Sequence, residues 1–573
     1  MKIIIGINAY HADASACIIV NNNLVAAVEE ERLNRIKHFS GYPINAIQEC
    51  LKIAKKNSSE ITDIAFNTKP FSNIKPKAFF FLKNILEKQK ISTKRFNRKI
   101  NIKNEILKEF KLNKEVKFHY IEHHLAHIAS AYYPSEFKKS IGLSIDGSGD
   151  FVSCAIAECE NLKINIKKKI FFPDSLGIFY HGMTQFLGFL NYGEEYKMMG
   201  LAPYGKPKYF DKIIKNLFKS NNENLFQLNL EYFNHAKPGY RYIAGDNLEI
   251  DQIFNSKLND LFYEEKNSDN NFIKNFACSV QKVYEHFFKK IISQILSKKY
   301  SNKIVFSGGC ALNSSANKIL TENKDYFEDI YINYAPGDNG GAIGAALVVA
   351  TKYFNEIQNL KTPYLGSEYN DNEVKKILES DFFKSKFSYK FYENDNEFFK
   401  SVAKLIAEGS VIGWFQGKME FGPRALGNRS ILADPSNPKM KEIINSKIKR
   451  RESFRPFAPV VLKKFQQEWF ESDFSNLYMS SVTKVKKNKQ SLVPAITHVD
   501  ETSRIQSVDK FSNKKLTLLI TEFEKYKKIP LLLNTSFNEN EPIVRKPEEA
   551  LNCILRNDLE YLVINNFVVK KVN

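Results

Sequence analysis

Apolar positions in the first half of the chain fall into short runs punctuated by turn residues. Residues 3–8 and 16–20 are apolar and β-branched, separated by Ala9-Tyr10-His11-Ala12-Asp13-Ala14-Ser15. A third run, Leu24–Val28, follows the turn Asn21-Asn22-Asn23. Runs of this length bounded by turn signals predict strands, here a hairpin continued as a meander. The design recurs at 140–157, where Ser140–Ile145 predicts a strand, Asp146-Gly147-Ser148-Gly149-Asp150 a polar loop and Phe151–Ala157 another strand. The recurrence predicts a duplicated α/β domain whose polar loops face one anionic ligand, their amides and glycines cradling phosphate. Each loop alone says little, since Asp-Gly is an ordinary hairpin turn.

The alanine-rich stretch Glu122-His123-His124-Leu125-Ala126-His127-Ile128-Ala129-Ser130-Ala131 has no helix breaker before Pro134, which predicts a helix over 119–133. Ile304–Gly309 predicts a strand and loop, and Cys310–Leu320 a helix starting on small residues. Ala335-Pro336-Gly337-Asp338-Asn339-Gly340-Gly341 then feeds a glycine/alanine helix. Residues 355–395 are polar and weakly patterned. From Val402 the helix and strand patterns resume, and arginines appear where lysines stood before. The shift puts a domain boundary near 360, giving domains 1–360 and 361–573.

A chain of 573 residues is too long for one core, so two or more domains agree with its length. Hydrophobic residues at 43% and aromatics at 13% exclude wholesale disorder. No apolar run approaches the roughly 20 residues of a membrane span. The start, Met1-Lys2-Ile3-Ile4-Ile5-Gly6, reads as a strand and lacks a signal peptide's features. Seven scattered cysteines without a CxxC pair point to a reducing cytoplasm and no zinc ribbon. The formal charge of +20 invites a nucleic-acid partner. Much of the excess sits in stretches such as Lys83–Lys117, which read as solvated helix without an RNA-stacking aromatic signature. The charge is therefore read as compositional, and nucleic acid is not the expected partner.

Certain residues carry chemistry. His123 and His127, four apart on one helix, project from one face and can chelate a cation. The Glu of HExxH is missing, so a zinc peptidase is not implied, and the pair alone is more often two partly exposed histidines than a ligand pair. Asp146 and Asp338, both in glycine loops at strand ends, add two carboxylates and make a mixed N/O set suited to iron, manganese or zinc. His11, in the first hairpin loop with Asp13 two residues on to orient it, can take a proton from a nucleophile or merely cap a turn. In the second half, arginines sit in rigid apolar strings: Phe421-Gly422-Pro423-Arg424-Ala425-Leu426-Gly427-Asn428-Arg429 and Lys449-Arg450-Arg451-Glu452-Ser453-Phe454-Arg455-Pro456-Phe457. Arg504 and Leu533-Asn534-Thr535-Ser536-Phe537-Asn538 complete the set. Guanidinium groups held by rigid neighbours suit bidentate phosphate or carboxylate recognition, with a structural ion-pair network as the competing account.

Together these strings resemble the O-carbamoyltransferases of antibiotic tailoring and nodulation-factor synthesis. The matching segments run almost end to end. They are Gly6-Ile7-Asn8-Ala9-Tyr10-His11 with Asp13-Ala14-Ser15-Ala16, Glu29-Glu30-Glu31-Arg32 through Lys37-His38, and Glu122-His123-His124 with His127. Ser175-Leu176-Gly177 with Tyr180, Glu195 through Gly205, and Ser307-Gly308-Gly309 with Ala311-Leu312-Asn313 follow, and then the arginine strings and Asn534–Asn538. The resemblance implies an α/β chain with a duplicated actin-like (ASKHA) first domain, like the tRNA threonylcarbamoyl-transfer ATPase, and a smaller YrdC-like second domain. It implies that the second domain makes carbamoyl-adenylate from carbamoyl phosphate and ATP with Mg2+. The first domain, holding iron, would transfer the carbamoyl group to a hydroxyl of a small molecule such as a sugar; a nucleotide or RNA is the alternative acceptor. By motif position, His123, His127, Asp146 and Asp338 would ligate the metal, and His11 and Lys37 would stand by the carbamoyl group. Gly147, Ser148, Gly149, Gly309 and Asn313 would line the adenylate. Arg424, Lys449, Arg455, Arg504, Asn534 and Ser536 would hold ATP and carbamoyl phosphate.

Overall fold

A computed structural model describes residues 1–86, 94–219, 225–237, 239–245 and 248–572. The chain divides into two compact units, Met1–Lys361 and Thr362–Asn573.

The first unit contains two five-stranded sheets of one design. In the first, β1 (Ile3–Asn8), β2 (Ser15–Val20) and β3 (Asn23–Glu29) form the antiparallel meander. β4 (Asp63–Phe66) and β5 (Lys117–Tyr120) continue it in parallel, giving the order β3-β2-β1-β4-β5. The second repeats this with β6 (Lys139–Gly149), β7 (Val152–Glu160), β8 (Lys163–Phe171), β9 (Lys303–Ser307) and β10 (Asp329–Ile332), in the order β8-β7-β6-β9-β10. Every residue of β1 is buried, as expected of a central strand covered on both faces. Residues 146–149, expected as loop, extend β6, and the chain reverses at Asp150 and Phe151, both with positive φ.

Three helices position the site: α1 (Lys94–Glu109), α2 (His123–Ser135) and α3 (Gly340–Ala350). α2 follows the last strand of the first sheet yet packs on β6, β7 and β9, and α3 follows the last strand of the second yet packs on β1, β2 and β4. The two helices also pack on each other. A Cβ at Gly344 would stand 1.8 Å from the Ala126 carbonyl oxygen, so α3 meets the backbone of α2 with no room for a side chain. The predicted helix over 119–133 begins later, because residues 117–120 pair with β4, and it carries Pro134 inside its last turn. The ring removes the N–H that the Ser130 carbonyl would have accepted. Asn333 replaces it, its Nδ2 lying 2.5 Å from that oxygen.

Of the stretch Lys83–Lys117, read as solvated, residues 87–93 lie outside the described residues, and α1 is exposed over most of its length but not on one face. α1 buries Lys99, Ile102 and Ile106.

The second unit is an eight-stranded sheet. Its strands are β11 (Phe387–Phe391), β12 (Ile412–Phe415), β13 (Arg429–Ala433), β14 (Ala458–Leu462), β15 (Gln506–Val508), β16 (Leu531–Ser536), β17 (Tyr561–Ile564) and β18 (Phe567–Lys571). Their order is β11-β18-β17-β12-β13-β16-β14-β15, with β12–β17 and β14–β15 parallel and the other pairs antiparallel. Trp414, Phe398, Ile431, Val460 and Leu532 lie in one continuous core. No helix among the described residues is long and apolar enough to cross a membrane. All seven cysteines are free thiols.

Adding one methyl group at the helix contact tests how tight it is. Gly344→Ala is expected to lower the stability of the first unit by about 1–3 kcal/mol, read from the urea midpoint of its unfolding transition. An unchanged midpoint would show that α2 and α3 can separate freely.

Candidate active site

The exchanged helices bring four donors from three elements to one point. His123 and His127 stand one turn apart on α2, Asp146 lies near the end of β6, and Asp338 lies in the loop that starts α3. The two imidazoles meet Nε2 to Nε2 at 2.9 Å. Asp338 Oδ1 is 3.3 Å from each Nε2, and Asp146 Oδ2 is 3.5 Å from that of His123. All four donors lie within 4.8 Å of one another and are buried. Burial alone would lower the His123 imidazolium, but Asp146 and Asp338 outweigh it and push it up to about 10. The adjacent His124 differs: burial, then His123 and His127, push it down to about 3, and its ring bonds Ser144 Oγ and the Val152 carbonyl. His124 is a structural residue.

The surrounding loops fix this cluster. Asp150 accepts hydrogen bonds from the backbone N–H groups of His123 and Lys69 and from Thr68 Oγ1, tying the start of α2 to two strand ends. Asp146 Oδ1 accepts from Gly309 N at 2.8 Å. A Cβ at Gly149 would fall 2.0 Å from the His123 ring, so the glycine there makes room for the imidazole. Ser175 Oγ donates toward the Asp146 and Gly147 carbonyls, holding the loop through Ser148. Asn313 caps the helix Ser314–Thr321 and exchanges amide hydrogen bonds with Gln281.

His11 stacks on His123, with ring centroids 4.4 Å apart and planes 22° apart. Asp13, expected to orient His11, turns away to His38, whose Nδ1 lies 2.8 Å from Asp13 Oδ1. Asp13 has positive φ, and so does His38, whose backbone N–H is held by Glu31. These geometries aim the two side chains at each other and leave the edge of His11 to Lys99, whose Nζ is 2.5 Å from His11 Nε2. Lys37 is exposed, and its charge falls on Glu31 and His38.

In the second unit, Arg504 is pushed well below the usual arginine range by burial and then by the charges of Arg424, Arg451 and Arg455. Burial pushes Arg424 down to about 10. Arg455 lies 3.7 Å from Glu452. The buried Lys449 donates to the carbonyl oxygens of Ser536 and Asn538, to Asn538 Oδ1 and to Ser536 Oγ. Asn534 Nδ2 donates to the Ala425 carbonyl and to Gln506 Oε1. The arginines of the Phe421–Arg429 string have different roles. Arg429 is fully buried over the Phe415 ring and donates to the carbonyls of Gln416, Gly417, Asn428 and Ser367, so it pins the loop. Glu420 pins it from the other side: one carboxylate oxygen accepts from the N–H groups of Leu426, Asn428 and Arg429.

Lys99, Asp150, Glu420 and Arg451 were not among the residues picked from the sequence as site members. Lys99 sits in a lysine-rich helix where nothing in the pattern sets one lysine apart. Asp150 and Arg451 had a signal, since each lies inside a string already marked for chemistry.

The meander-plus-parallel order repeated in both sheets, with a buried donor cluster beside the end of β6, defines the first unit as an actin-like α/β domain. Residues 3–347 match the family described as carbamoyltransferase N-terminus, and residues 403–571 match carbamoyltransferase C-terminus. The chain belongs to the carbamoyltransferase family and is a carbamoyltransferase. It is 35% identical to the uncharacterized protein sll1178 of Synechocystis, over 100% of this chain and 97% of that one. It is 34% identical to nodulation protein NolNO of Sinorhizobium fredii, over 98% and 80%. It is 30% identical to the uncharacterized protein MJ1051 of Methanocaldococcus jannaschii, over 99% and 100%.

The Glu420 pin can be removed selectively. Glu420→Ala leaves three buried N–H donors without their acceptor and is expected to cost the second unit about 3 kcal/mol, followed by thermal unfolding and proteolysis of the 421–428 loop. Glu420→Gln keeps an acceptor oxygen and should cost less than half as much. Equal losses would show that the charge, not the acceptor, matters.

Proposed function

We propose that this carbamoyltransferase works in two half-reactions, one in each unit, with ATP and carbamoyl phosphate as substrates and a hydroxyl of a small molecule as acceptor. In the first, carbamate, released from carbamoyl phosphate as phosphate is lost to water, attacks the α-phosphorus of ATP and pyrophosphate leaves, giving carbamoyl-adenylate. In the second, the acceptor oxygen attacks the carbamoyl carbon, the bond to the adenylate oxygen breaks, and AMP leaves with the electron pair. His11 takes the hydroxyl proton.

The observation that carries this reading is the arginine cluster. A cation pushed down by neighbouring cations is stabilised by a polyanion: Arg424, Arg451 and Arg455 act on the buried Arg504 in this way, and Arg451 and Arg455 act on the buried Lys449. ATP, with its Mg2+, and carbamoyl phosphate are such anions, with Asn534 and Ser536 as polar neighbours. The second unit would then be the YrdC-like, adenylate-forming domain, and Gly147, Ser148, Gly149, Gly309 and Asn313 in the first would line the adenylate.

The His–His–Asp–Asp cluster fits a metal ion. Two imidazoles meeting Nε2 to Nε2 can share at most one hydrogen if neutral and repel if both are charged, whereas both nitrogens can serve a cation between them. Asp338 Oδ1 is buried without a hydrogen-bond partner, a lone-pair donor in want of one. His123, His127, Asp146 and Asp338 would hold the ion, with iron the choice made by the family resemblance and manganese or zinc compatible with the same donors. Bound there, it supplies positive charge where negative charge develops on the leaving phosphate. The protein's own part is to hold the donors, to set His11 against them and to keep the reacting anhydride from bulk water.

Two measurements test the reading. Purified protein should carry close to one equivalent of transition metal, and His127→Ala should lose most of it; full occupancy in that variant would remove the metal assignment. Arg455→Ala should abolish carbamoyl-adenylate formation, followed as pyrophosphate release dependent on carbamoyl phosphate, while still consuming preformed carbamoyl-adenylate. Equal failure of both steps in the folded variant would overturn the division between the units.

A further inference from the structure

The helix Ile74–Leu86 turns apolar residues outward. Among the described side chains from Phe71, in the turn before it, to Leu82, the exposed ones are Phe71, Ile74, Lys75, Ala78, Phe79 and Leu82. They recur at three- and four-residue spacing and so form one stripe along the helix. Only Lys75 among them is polar. The large side chains stand well out in water: Phe79 is 75% exposed, Phe71 65%, Ile74 61% and Leu82 60%. A contiguous apolar stripe of this kind on a soluble surface marks a place of contact.

The other side of the segment is anchored. Phe80 packs against Phe151 and Phe172, with ring centroids 5.5 and 5.4 Å away. Asn73 donates from Nδ2 to the Asp150 carbonyl, and its Oδ1 accepts from Lys169 Nζ. Lys77 Nζ donates to the Pro70 carbonyl. Rolling the helix to bury its stripe would break these contacts, so the apolar face is held outward.

Charge indicates what covers it. From Ile64 to Leu82 the chain has three lysines, Lys69, Lys75 and Lys77, and no Asp or Glu. Lys69 and Lys75 are exposed. A second copy docked through the same stripe would set lysines against lysines, a like-charge contact that costs affinity. An acidic protein would satisfy the lysines but would find little else to read: Ser72 donates to the Lys69 carbonyl, and both polar atoms of Asn73 are engaged within the chain. An anionic bilayer needs neither a groove nor directed hydrogen bonds. It takes apolar side chains below its headgroups and cations at their level. No helix among the described residues is long and apolar enough to cross a membrane, so the contact lies along the surface.

We propose that the stripe from Phe71 to Leu82 docks the first unit on an anionic lipid bilayer, with Phe79 and Leu82 inserted beneath the headgroups and Lys69 and Lys75 against the lipid phosphates. The contact is peripheral and reversible, because one short stripe with few cations anchors weakly.

The test is co-sedimentation of the full chain with vesicles of phosphatidylglycerol and phosphatidylcholine, and with vesicles of phosphatidylcholine alone. Wild type should pellet with the anionic vesicles, much less with the neutral ones, and salt should release it. The double variant Phe79→Ser/Leu82→Ser should bind the anionic vesicles on the order of tenfold more weakly, and Lys75→Glu should lose a similar factor. Both variants leave the anchored side intact, so the urea midpoint of the first unit should stay at its wild-type value. No pelleting of wild type, or equal pelleting with the neutral vesicles, overturns the proposal. So does undiminished binding in Phe79→Ser/Leu82→Ser, which would put the contact on another face. A wild type that ignores vesicles but sediments as a dimer, and becomes a monomer on that double substitution, makes a second copy the occupant and overturns it as well.

Discussion

The site exists because two helices pack on each other's sheets. α2 leaves the first sheet and lies on the second, α3 does the reverse, and the backbones touch at Gly344 and Ala126. Had each helix stayed with its own sheet, His123 and His127 would stand in one half of the unit and Asp338 in the other. The exchange puts two imidazoles from one repeat between carboxylates from the second, and the close approach keeps all four donors within 4.8 Å. Small residues in Gly340–Ala350 are therefore a condition for the chemistry and not only for packing.

The two units handle charge in opposite ways. In the first, buried carboxylates face buried imidazoles, Asp146 against His123 and Asp338 against His123 and His127. In the second, charges of one sign gather, with Arg424, Arg451, Arg455 and Arg504 in one field, and the backbone, not a counter-charge, absorbs much of the rest. Lys449 and Arg429 both end on carbonyl oxygens. Carbonyls satisfy the donors without cancelling the charge, which is what the proposed anion site requires.

Much of this was legible in the sequence, for reasons that differ by element. The hairpins at 3–28 and 140–157 are local, and alternation of apolar runs with turn residues is enough to place them. The four donors could be picked out because helical spacing and glycine loops are local signals too. The sheet order and the exchange of α2 and α3 were not readable, since both depend on contacts between residues tens to hundreds of positions apart. The same applies to Lys99: its burial follows from where α1 lands, and a lysine turned inward has the same letter as one turned outward. Asp13 was misjudged for a related reason. Two residues from His11 is close in sequence, but the positive φ at Asp13 turns its side chain toward His38.

Pro134 and Asn333 lie far from each other in the chain but meet at the Ser130 carbonyl. The proline removes an N–H from α2, and the asparagine, five residues before Asp338, supplies the missing donor to Ser130. The polar group vacated by one position is thus occupied by the other, and α2 becomes fastened to the segment that carries Asp338. The two positions are therefore expected to change together. A lineage that exchanges Pro134 for a residue with an N–H releases Asn333 from its duty, and one that loses Asn333 leaves a buried carbonyl unsatisfied until the proline changes as well.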